Sequence, residues 1–164
     1  MNYIVLHMGE GKESYYKEAV NEYQKRMNLY GSLEFIPLKN AKTLGKELSQ
    51  SEIQVVLEKE ALEFEKKLSE PKYHKSYKIA LCIEGKSLSS EGLADLFDKV
   101  AGSGKNSVVF LIGSSWGLSK KIKSLCDLRL SFSPMTFPHS LFKVMLAEQI
   151  YRAAGIVAGS QYHK

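Results

Sequence analysis

Short apolar runs alternate along the chain with longer segments whose apolar residues recur every three or four positions. The short runs are rich in Val, Ile, Leu and aromatic residues, which favours β-strands, whereas the longer segments have the period of amphipathic helices. The predicted strands are Tyr3–Met8, Leu33–Pro37, Lys78–Ile83, Ser107–Ile112 and Leu128–Phe132. Because strands and helices alternate, the pattern predicts an α/β protein with a mainly parallel sheet flanked by helices.

Four helical segments separate or follow these strands. The first three carry one apolar stripe each, but the last, from about Ser140 to Val157, is apolar on most of its circumference and should pack against several elements. The stripes comprise Tyr16, Ala19, Val20, Tyr23 and Met27, then Ile53, Val56, Leu57, Ala61, Phe64 and Leu68, then Leu93, Leu96, Phe97 and Val100. Residues 69–76 are the best candidate for a loop between the first helices and the second half. The length of 164 residues predicts a single domain spanning 1–164.

The composition is that of an ordinary globular protein, with 44% hydrophobic and 25% charged residues. Apolar runs such as Val108 to Ile112 are far too short to span a bilayer, and the first residues lack the features of a signal peptide. Cys82 and Cys126 form no C-x-x-C pair and no metal-ligand spacing. We therefore expect a reduced cytoplasmic protein without a metal site or a membrane anchor.

The net charge of +5 is unevenly distributed. The first 76 residues are electroneutral, so the whole excess falls in residues 77–164. A basic half suggests a polyanionic partner that contacts mainly C-terminal elements. Many cytoplasmic proteins of similar pI bind no nucleic acid, so charge alone leaves that partner open.

The segment Gly113-Ser114-Ser115-Trp116-Gly117 matches the G-x-S-x-G nucleophile elbow of serine hydrolases, between an apparent strand and a helix. Asp127 and His139 follow in the order that such enzymes use. However, Asp127 opens a strand and His139 lies beyond its other end, and a rise of about 3.3 Å per residue separates them by more than contact distance. The sequence therefore predicts that this triad is a coincidence.

The same glycines have two other interpretations. No G-x-G-x-x-G fingerprint and no P-loop occurs, so a cofactor held by its phosphates is not indicated. A glycine turn at the carboxyl end of a parallel strand is nevertheless where ligands collect in α/β sheets. The alternative is that the glycines only permit positive φ at a turn.

A stiff loop follows the last predicted strand. Pro134 and Pro138 lie close together in it, and Pro138 suits the start of the last helix, where a fixed φ and a missing N–H cost nothing. The free main-chain groups of such a loop could recognise the edge of a heterocycle.

Several of these segments resemble one protein family. The motifs FLIGSSWGLS, LSFSPMTFPHSLFKVMLAEQIYRA and the terminal YHK are similar to the RlmH group of SPOUT methyltransferases, and the likeness extends to the opening YIVLHMGEGKESYYKEAVNEYQKRM and to CIEGKSLSSEGLA. Ser114 and Trp116 depart from that group, which often has a second glycine and a small or polar residue there. The resemblance implies a deep trefoil knot in about residues 77–164, a homodimer, the cofactor S-adenosylmethionine (SAM), and methylation of N3 of a pseudouridine in 23S rRNA of the large ribosomal subunit.

The resemblance also implies which residues do the work. The cofactor would lie in the knot between three segments, contributed by Leu81, Gly113, Phe132, Ser133, Pro134, Met135, Thr136 and Phe137. The catalytic candidates are Tyr162 and His163, in a terminal tail with Lys164 that would act across the dimer interface, and Arg152. His139 is interpreted as a hydrogen-bonding residue at a helix start rather than as a base.

Three function classes follow. The methyltransferase interpretation predicts SAM binding and contact with the assembled ribosome, whereas a serine hydrolase would depend on Ser115 and a non-catalytic RNA-binding module would need no SAM. Basic residues available for RNA phosphates are Lys86, Lys120, Lys121, Lys123, Arg129 and Lys143.

Overall fold

The structure is a computed structural model, and it describes residues 1–9, 13–41 and 47–160. Within these ranges, five strands form one sheet in the order β2-β1-β4-β3-β5, and every strand pairing is parallel. The strands are β1 (Asn2–Met8), β2 (Ser32–Leu38), β3 (Ser76–Ser87), β4 (Ser107–Ile112) and β5 (Leu128–Ser131). The predicted strands and the parallel α/β architecture flanked by helices are thus confirmed.

In the described part of the chain, five α-helices connect or follow the strands. They are α1 (Ser14–Met27), α2 (Gln50–Leu68), α3 (Ser90–Gly102), the short α4 (Lys120–Ser124) and α5 (His139–Val157). The hydroxyl groups of Ser49, Ser89 and Ser119 cap α2, α3 and α4 by accepting the backbone N–H of the third residue of each helix. The predicted loop 69–76 contains a 3₁₀ turn, Pro71–Tyr73, and ends where β3 begins.

Both faces of the sheet are covered. Helices α1, α3 and α5 pack on one face, where Tyr3, Val5 and Phe110 point, and α2 and α4 pack on the other, where Leu6 and Leu111 point. Alternate residues of a strand face opposite sides, so a sheet buried on both faces needs continuous apolar strands. All six residues of β4 are accordingly buried.

Strands β3 and β5 approach one another unusually closely near their carboxyl ends. Their register shifts between Leu81 and Lys86, both of which pair with Leu130. A Cβ added at Gly85 would lie 2.6 Å from the Leu130 carbonyl carbon, so the close approach requires glycine. Strand order and pairing do not report how the chain is threaded, and the trefoil knot in about 77–164 stays a prediction.

The carboxyl ends of β1, β4, β3 and β5 meet at one edge of the sheet, since all strands are parallel. The segments after β4 and β5 leave the sheet there, and α5 begins at the same edge. Open parallel sheets bind ligands at this edge. Within the described ranges, no helix is long and apolar enough to cross a membrane.

Candidate active site

The turn after β4 is built by two glycines with different tasks. Gly117 has a φ of +79°, which favours glycine, and its N–H donates to the Ser114 carbonyl at 2.9 Å. Gly113 has no such φ, but a Cβ there would overlap the Gly117 carbonyl and lie 2.9 Å from the Leu118 nitrogen. The backbone of Gly117 and Leu118 therefore packs directly against Gly113. Because a Cβ would not fit between them, this position requires glycine.

The loop from Phe132 to Pro138 is held by side chains. Ser131 Oγ donates to the Ser133 carbonyl at 3.2 Å, and Ser133 Oγ accepts from the Met135 N–H at 3.0 Å. Phe142 of α5 contacts both ends, with its ring centroid 5.0 Å from that of Phe132 and 6.4 Å from that of Phe137. Among the described residues, positions 132–137 form no backbone–backbone hydrogen bond. Apart from the Ser133 carbonyl and the Met135 N–H, their main-chain groups are therefore available to a ligand.

These two segments and the end of β3 enclose a cavity of about 580 Å³. Seven of the eight residues assigned to the cofactor by resemblance line it: Leu81, Gly113, Phe132, Ser133, Met135, Thr136 and Phe137. Pro134 is not among the lining residues, and Met135, 70% exposed, lies at the mouth. The volume of this cavity is within the range of about 300–1,000 Å³ that is typical of small-molecule sites.

A polar cluster lies beside Gly113 on the α5 side of the sheet. His139 Nε2 is 2.9 Å from the Gly113 carbonyl oxygen, and the His7 ring centroid is 6.3 Å from that of His139. Burial, together with the charge of Lys143, lowers the pKa of His7 to about 4. Burial also lowers the pKa of His139, although its hydrogen bond to Gly113 opposes that shift. Neutral His139 thus carries its proton on Nε2, since a carbonyl can only accept.

Glu60 approaches the same turn from the opposite side of the sheet. Its side chain is only 3% exposed, and its carboxyl faces the hydroxyl and the N–H of Ser114 and the N–H of Ala41. Burial raises the pKa of this carboxyl, and these hydrogen bonds oppose the rise. Its Oε2 atom has no hydrogen-bond partner within the described part of the chain.

Arg152 lies on α5 and pairs with Glu148 one turn earlier. Its Nη2 and Nε atoms are 2.6 Å and 2.8 Å from Glu148 Oε1. Glu148 lines a second cavity of about 530 Å³, which shares Leu130, Ser131 and Phe132 with the first.

The other catalytic candidates, Tyr162 and His163, lie outside the described residues, as does Lys164.

The hydrolase triad is not assembled. Asp127, at the start of β5, accepts from the Lys78 N–H at 2.7 Å and pairs with Lys105 Nζ at 3.2 Å. His139 contacts Gly113 at the other end of the sheet, and Ser115 is exposed on the turn. The prediction that this triad is a coincidence is confirmed.

Glu60 and His7 belong to the site but were not predicted from the sequence, and the buried position of Lys143 differs from the prediction. Glu60 lies on the buried stripe of α2, four residues after Val56 and four before Phe64, so its position was a readable signal. His7 had no such signal, because it occupies an apolar strand. Lys143 was counted among the residues available to RNA, but it is 8% exposed because it packs beneath α1.

The chain is similar in sequence to one family along its whole length. Residues 1–163 match the family described as "Predicted SPOUT methyltransferase". Over all 164 residues, and over the full length of each relative, the chain is 42% identical to the ribosomal RNA large subunit methyltransferase H of Bacillus pumilus and 43% identical to that of Clostridioides difficile. The SpoU methyltransferase AviRb from Streptomyces viridochromogenes gives a TM-score of 0.45 at 13% identity, covering 97% of this chain and 61% of that one. The chain belongs to the ribosomal RNA large subunit methyltransferase H group of the SPOUT methyltransferases.

Proposed function

We propose that this protein uses SAM to methylate N3 of a pseudouridine in 23S rRNA, acting as a homodimer on the assembled ribosome. The observation that carries the proposal is full-length similarity to proteins named ribosomal RNA large subunit methyltransferase H. A methyltransferase acting on large-subunit rRNA follows from that membership. The target atom and the dimer are proposed from the resemblance, and the preference for assembled ribosomes is proposed from the small size of the domain.

The cavity of about 580 Å³ suits the cofactor. The apolar side chains of Leu81, Phe132 and Phe137 would enclose the adenine and the methionine arm. Main-chain groups of residues 132–137 that make no hydrogen bond within the loop would bind the adenine edge. When bound, SAM supplies a methyl group on a cationic sulfonium, which is already a good electrophile. The protein therefore has to hold and orient the partners.

The protein must also favour loss of the proton from N3 of the pseudouridine, the nucleophile of the transfer. The N3 atom of pseudouridine belongs to an imide and is a weak nucleophile until its proton leaves, so a cation near the base would favour the transition state. Arg152 is the described residue that we assign to this role, with Glu148 fixing its guanidinium. Tyr162 and His163 of the terminal tail are assigned to the same step, reaching the site of the partner subunit.

The basic C-terminal half would bind RNA phosphates through only some of its lysine and arginine residues, because others are already paired with carboxylates. Lys121 and Lys123 pair with Glu65 and Glu84. Among the basic residues that the sequence offers to RNA, those that are exposed and form no ion pair with another described residue are Lys86, Lys120 and Arg129. A small phosphate-binding surface fits an enzyme that recognises a preassembled target by shape, through both protomers together.

The test is transfer of labelled methyl from SAM to three substrates: ribosomes lacking the modification, the same rRNA stripped of protein, and a hairpin with uridine in place of pseudouridine. The rRNA is digested and its nucleosides are identified by mass. We expect label in methylpseudouridine from ribosomes, little from stripped rRNA and none from the uridine hairpin. Equal rates on ribosomes and stripped rRNA would refute the assembled-ribosome proposal, and label in another nucleoside would refute the target assignment.

A further inference from the structure

Three large apolar side chains are exposed around the mouth of the cofactor cavity. Trp116, Ile83 and Met135 are 41%, 56% and 70% exposed, and all three line that cavity. Each comes from a different segment of the wall: the turn after β4, the carboxyl half of β3 and the loop after β5. Exposed apolar groups that cluster in this way mark an interaction surface, whereas scattered single ones need no explanation.

Trp116 is held at this mouth by its backbone, but its ring is uncovered. The Trp116 N–H donates to Ser114 Oγ at 3.4 Å, and the next N–H, that of Gly117, donates to the Ser114 carbonyl at 2.9 Å. Among the residues that the structure describes, no aromatic ring and no cation packs against the indole. A fixed backbone presents this ring to a planar ligand at a low entropy cost.

The charge around the turn favours RNA as that ligand. Residues 112–138 contain four lysine or arginine residues and one carboxylate, that of Asp127. Lys120 follows Trp116 by four positions, and Arg129 lies on β5, which pairs with β3. Both cations are exposed and form no ion pair with a described residue. An aromatic ring beside cations that bind the backbone is the usual arrangement in sites for single-stranded nucleic acid.

An exposed indole can stack only on a base whose face is uncovered. Bases in a duplex are covered on both faces, whereas bases in loops and bases extruded by an enzyme are not. A methyltransferase that acts on one atom of a base needs its target in that uncovered form. Because Trp116 lines the cofactor cavity, a base stacked on it would lie next to the cofactor site.

We propose that Trp116 is a positioning residue that stacks on an unpaired rRNA base at the mouth of the cofactor cavity, with Lys120 and Arg129 binding the adjacent phosphates. The proposal rests on the proposed function, because it names the residue through which that site holds its RNA substrate. Trp116 takes no part in the transfer itself. Its loss should therefore raise KM for the RNA and leave kcat and SAM affinity nearly unchanged.

Trp116 is the only tryptophan of the chain, so tryptophan fluorescence reports on this position alone. The wild-type protein, without SAM, is titrated with a single-stranded RNA decamer and with an abasic decamer of the same charge. Stacking predicts that the RNA quenches the emission and that the abasic strand binds at least about 10-fold more weakly. Absence of RNA binding, equal affinities for the two strands, or binding that leaves the emission unchanged would overturn the proposal.

Variants separate stacking from a general effect on the fold. Trp116→Ala should bind an end-labelled RNA decamer about 10-fold more weakly and raise KM for ribosomes by a similar factor, whereas Trp116→Phe keeps a ring and should stay within about 3-fold of wild type. Leu29→Ala is the matched control, since Leu29 is 77% exposed between α1 and β2, at the opposite edge of the sheet. Equal losses in the two Trp116 variants, or the same loss in Leu29→Ala, would contradict stacking.

The two cations are tested by salt. Lys120→Ala and Arg129→Ala should weaken binding of the RNA and of the abasic decamer by the same factor. Each should also lower the slope of log affinity against log salt concentration by about 0.7, the value for one phosphate contact on a single strand. Unchanged slopes in both variants would overturn the assignment of these cations to the phosphates.

Other occupants of this surface give different results. If Trp116 bound SAM, then Trp116→Ala would lose SAM affinity in calorimetry. If a second copy of the chain covered the ring, then dilution would shift the emission and Trp116→Ala would change the sedimentation of the protein. Either result would overturn the proposal. If RNA quenches Trp116 as expected but no methyl group reaches rRNA, the stacking surface stands and the proposed function fails.

Discussion

His139 Nε2 lies 2.9 Å from the carbonyl oxygen of Gly113, 26 residues earlier in the chain. This hydrogen bond ties the first residue of α5 to the turn after β4, so the two segments that line the main cavity are mechanically connected. It also occupies Nε2, so this nitrogen of neutral His139 cannot accept a proton. The G-x-S-x-G motif is thus a structural turn beside a cavity, and not a nucleophile elbow.

Substitution of Gly113 by Ala should disrupt the turn. The new Cβ would overlap the Gly117 carbonyl, which is backbone and cannot move without displacing the whole turn. We expect at least a 10-fold loss of SAM affinity and a loss of stability of about 1–3 kcal/mol, as for overpacking elsewhere. Calorimetry and urea unfolding check both.

Gly102→Ala is the matched control for that substitution. A Cβ at Gly102 meets nothing within 4 Å, and alanine favours the helix end. Wild-type affinity and equal or greater stability are therefore expected. Normal SAM binding by Gly113→Ala would show that the turn does not shape the site.

Strand positions were predictable because both faces of this sheet are buried. Runs such as Val108–Ile112 have no polar alternation, and few other structures need five consecutive apolar residues. The ends were harder to place. β3 continues past Ile83 to Ser87 through a bulge against β5, and the polar residues there gave no strand signal. The short helix α4 was likewise too brief to show a period.

The site was predictable only where it is local in sequence. Gly113 and the loop from Phe132 to Phe137 could be identified by resemblance, and they do meet at one cavity. Glu60 reaches the turn from a helix more than 50 residues earlier, and only the fold brings them together. The burial of Lys143 has the same origin, because charge patterning does not reveal which cations α1 covers.

Ser115→Ala should leave methyl transfer unchanged, because this exposed hydroxyl belongs to a turn that backbone groups define. Asp127→Ala should also retain activity, but it removes the acceptor of the Lys78 N–H and the partner of Lys105, so stability should fall by about 1 kcal/mol. Rates with SAM, rates with an activated ester, and Tm distinguish the outcomes. Ester hydrolysis that disappears in both variants would restore the hydrolase interpretation.

Arg152→Ala should lower kcat with little effect on SAM affinity, because Arg152 is not among the residues that line the larger cavity. Loss of one charge-stabilising group predicts about a 100-fold decrease. Arg26→Ala is the matched control, since Arg26 forms the same i,i+4 pair with Glu22 on α1, away from the site. Wild-type kcat in Arg152→Ala, or an equal decrease in Arg26→Ala, would contradict the assigned role.

His7 should make the protein less stable in mild acid. Its pKa is about 4 when folded, against 6.5 ordinarily, so the unfolded state binds more protons between these values and stability falls as the pH falls through that window. From pH 7 to pH 5 the loss from this group is about 2 kcal/mol. Buried His139 shifts in the same direction and adds to the loss.

Urea unfolding of His7→Gln at pH 7 and pH 5 measures this contribution. The variant should lose about 2 kcal/mol less than wild type over that interval. His74→Gln, at an exposed position, should follow the wild-type curve. If His7→Gln and wild type lose equal stability, then the buried imidazole is not the source of the acid sensitivity.

A crystal structure with S-adenosylhomocysteine, the demethylated product of the cofactor, would locate the site. We predict its density in the cavity of about 580 Å³, with the adenine against the loop from Phe132 to Phe137 and main-chain contacts to Gly113. Density in the cavity that Glu148 lines, or elsewhere on the surface while this cavity stays empty, would contradict the assignment.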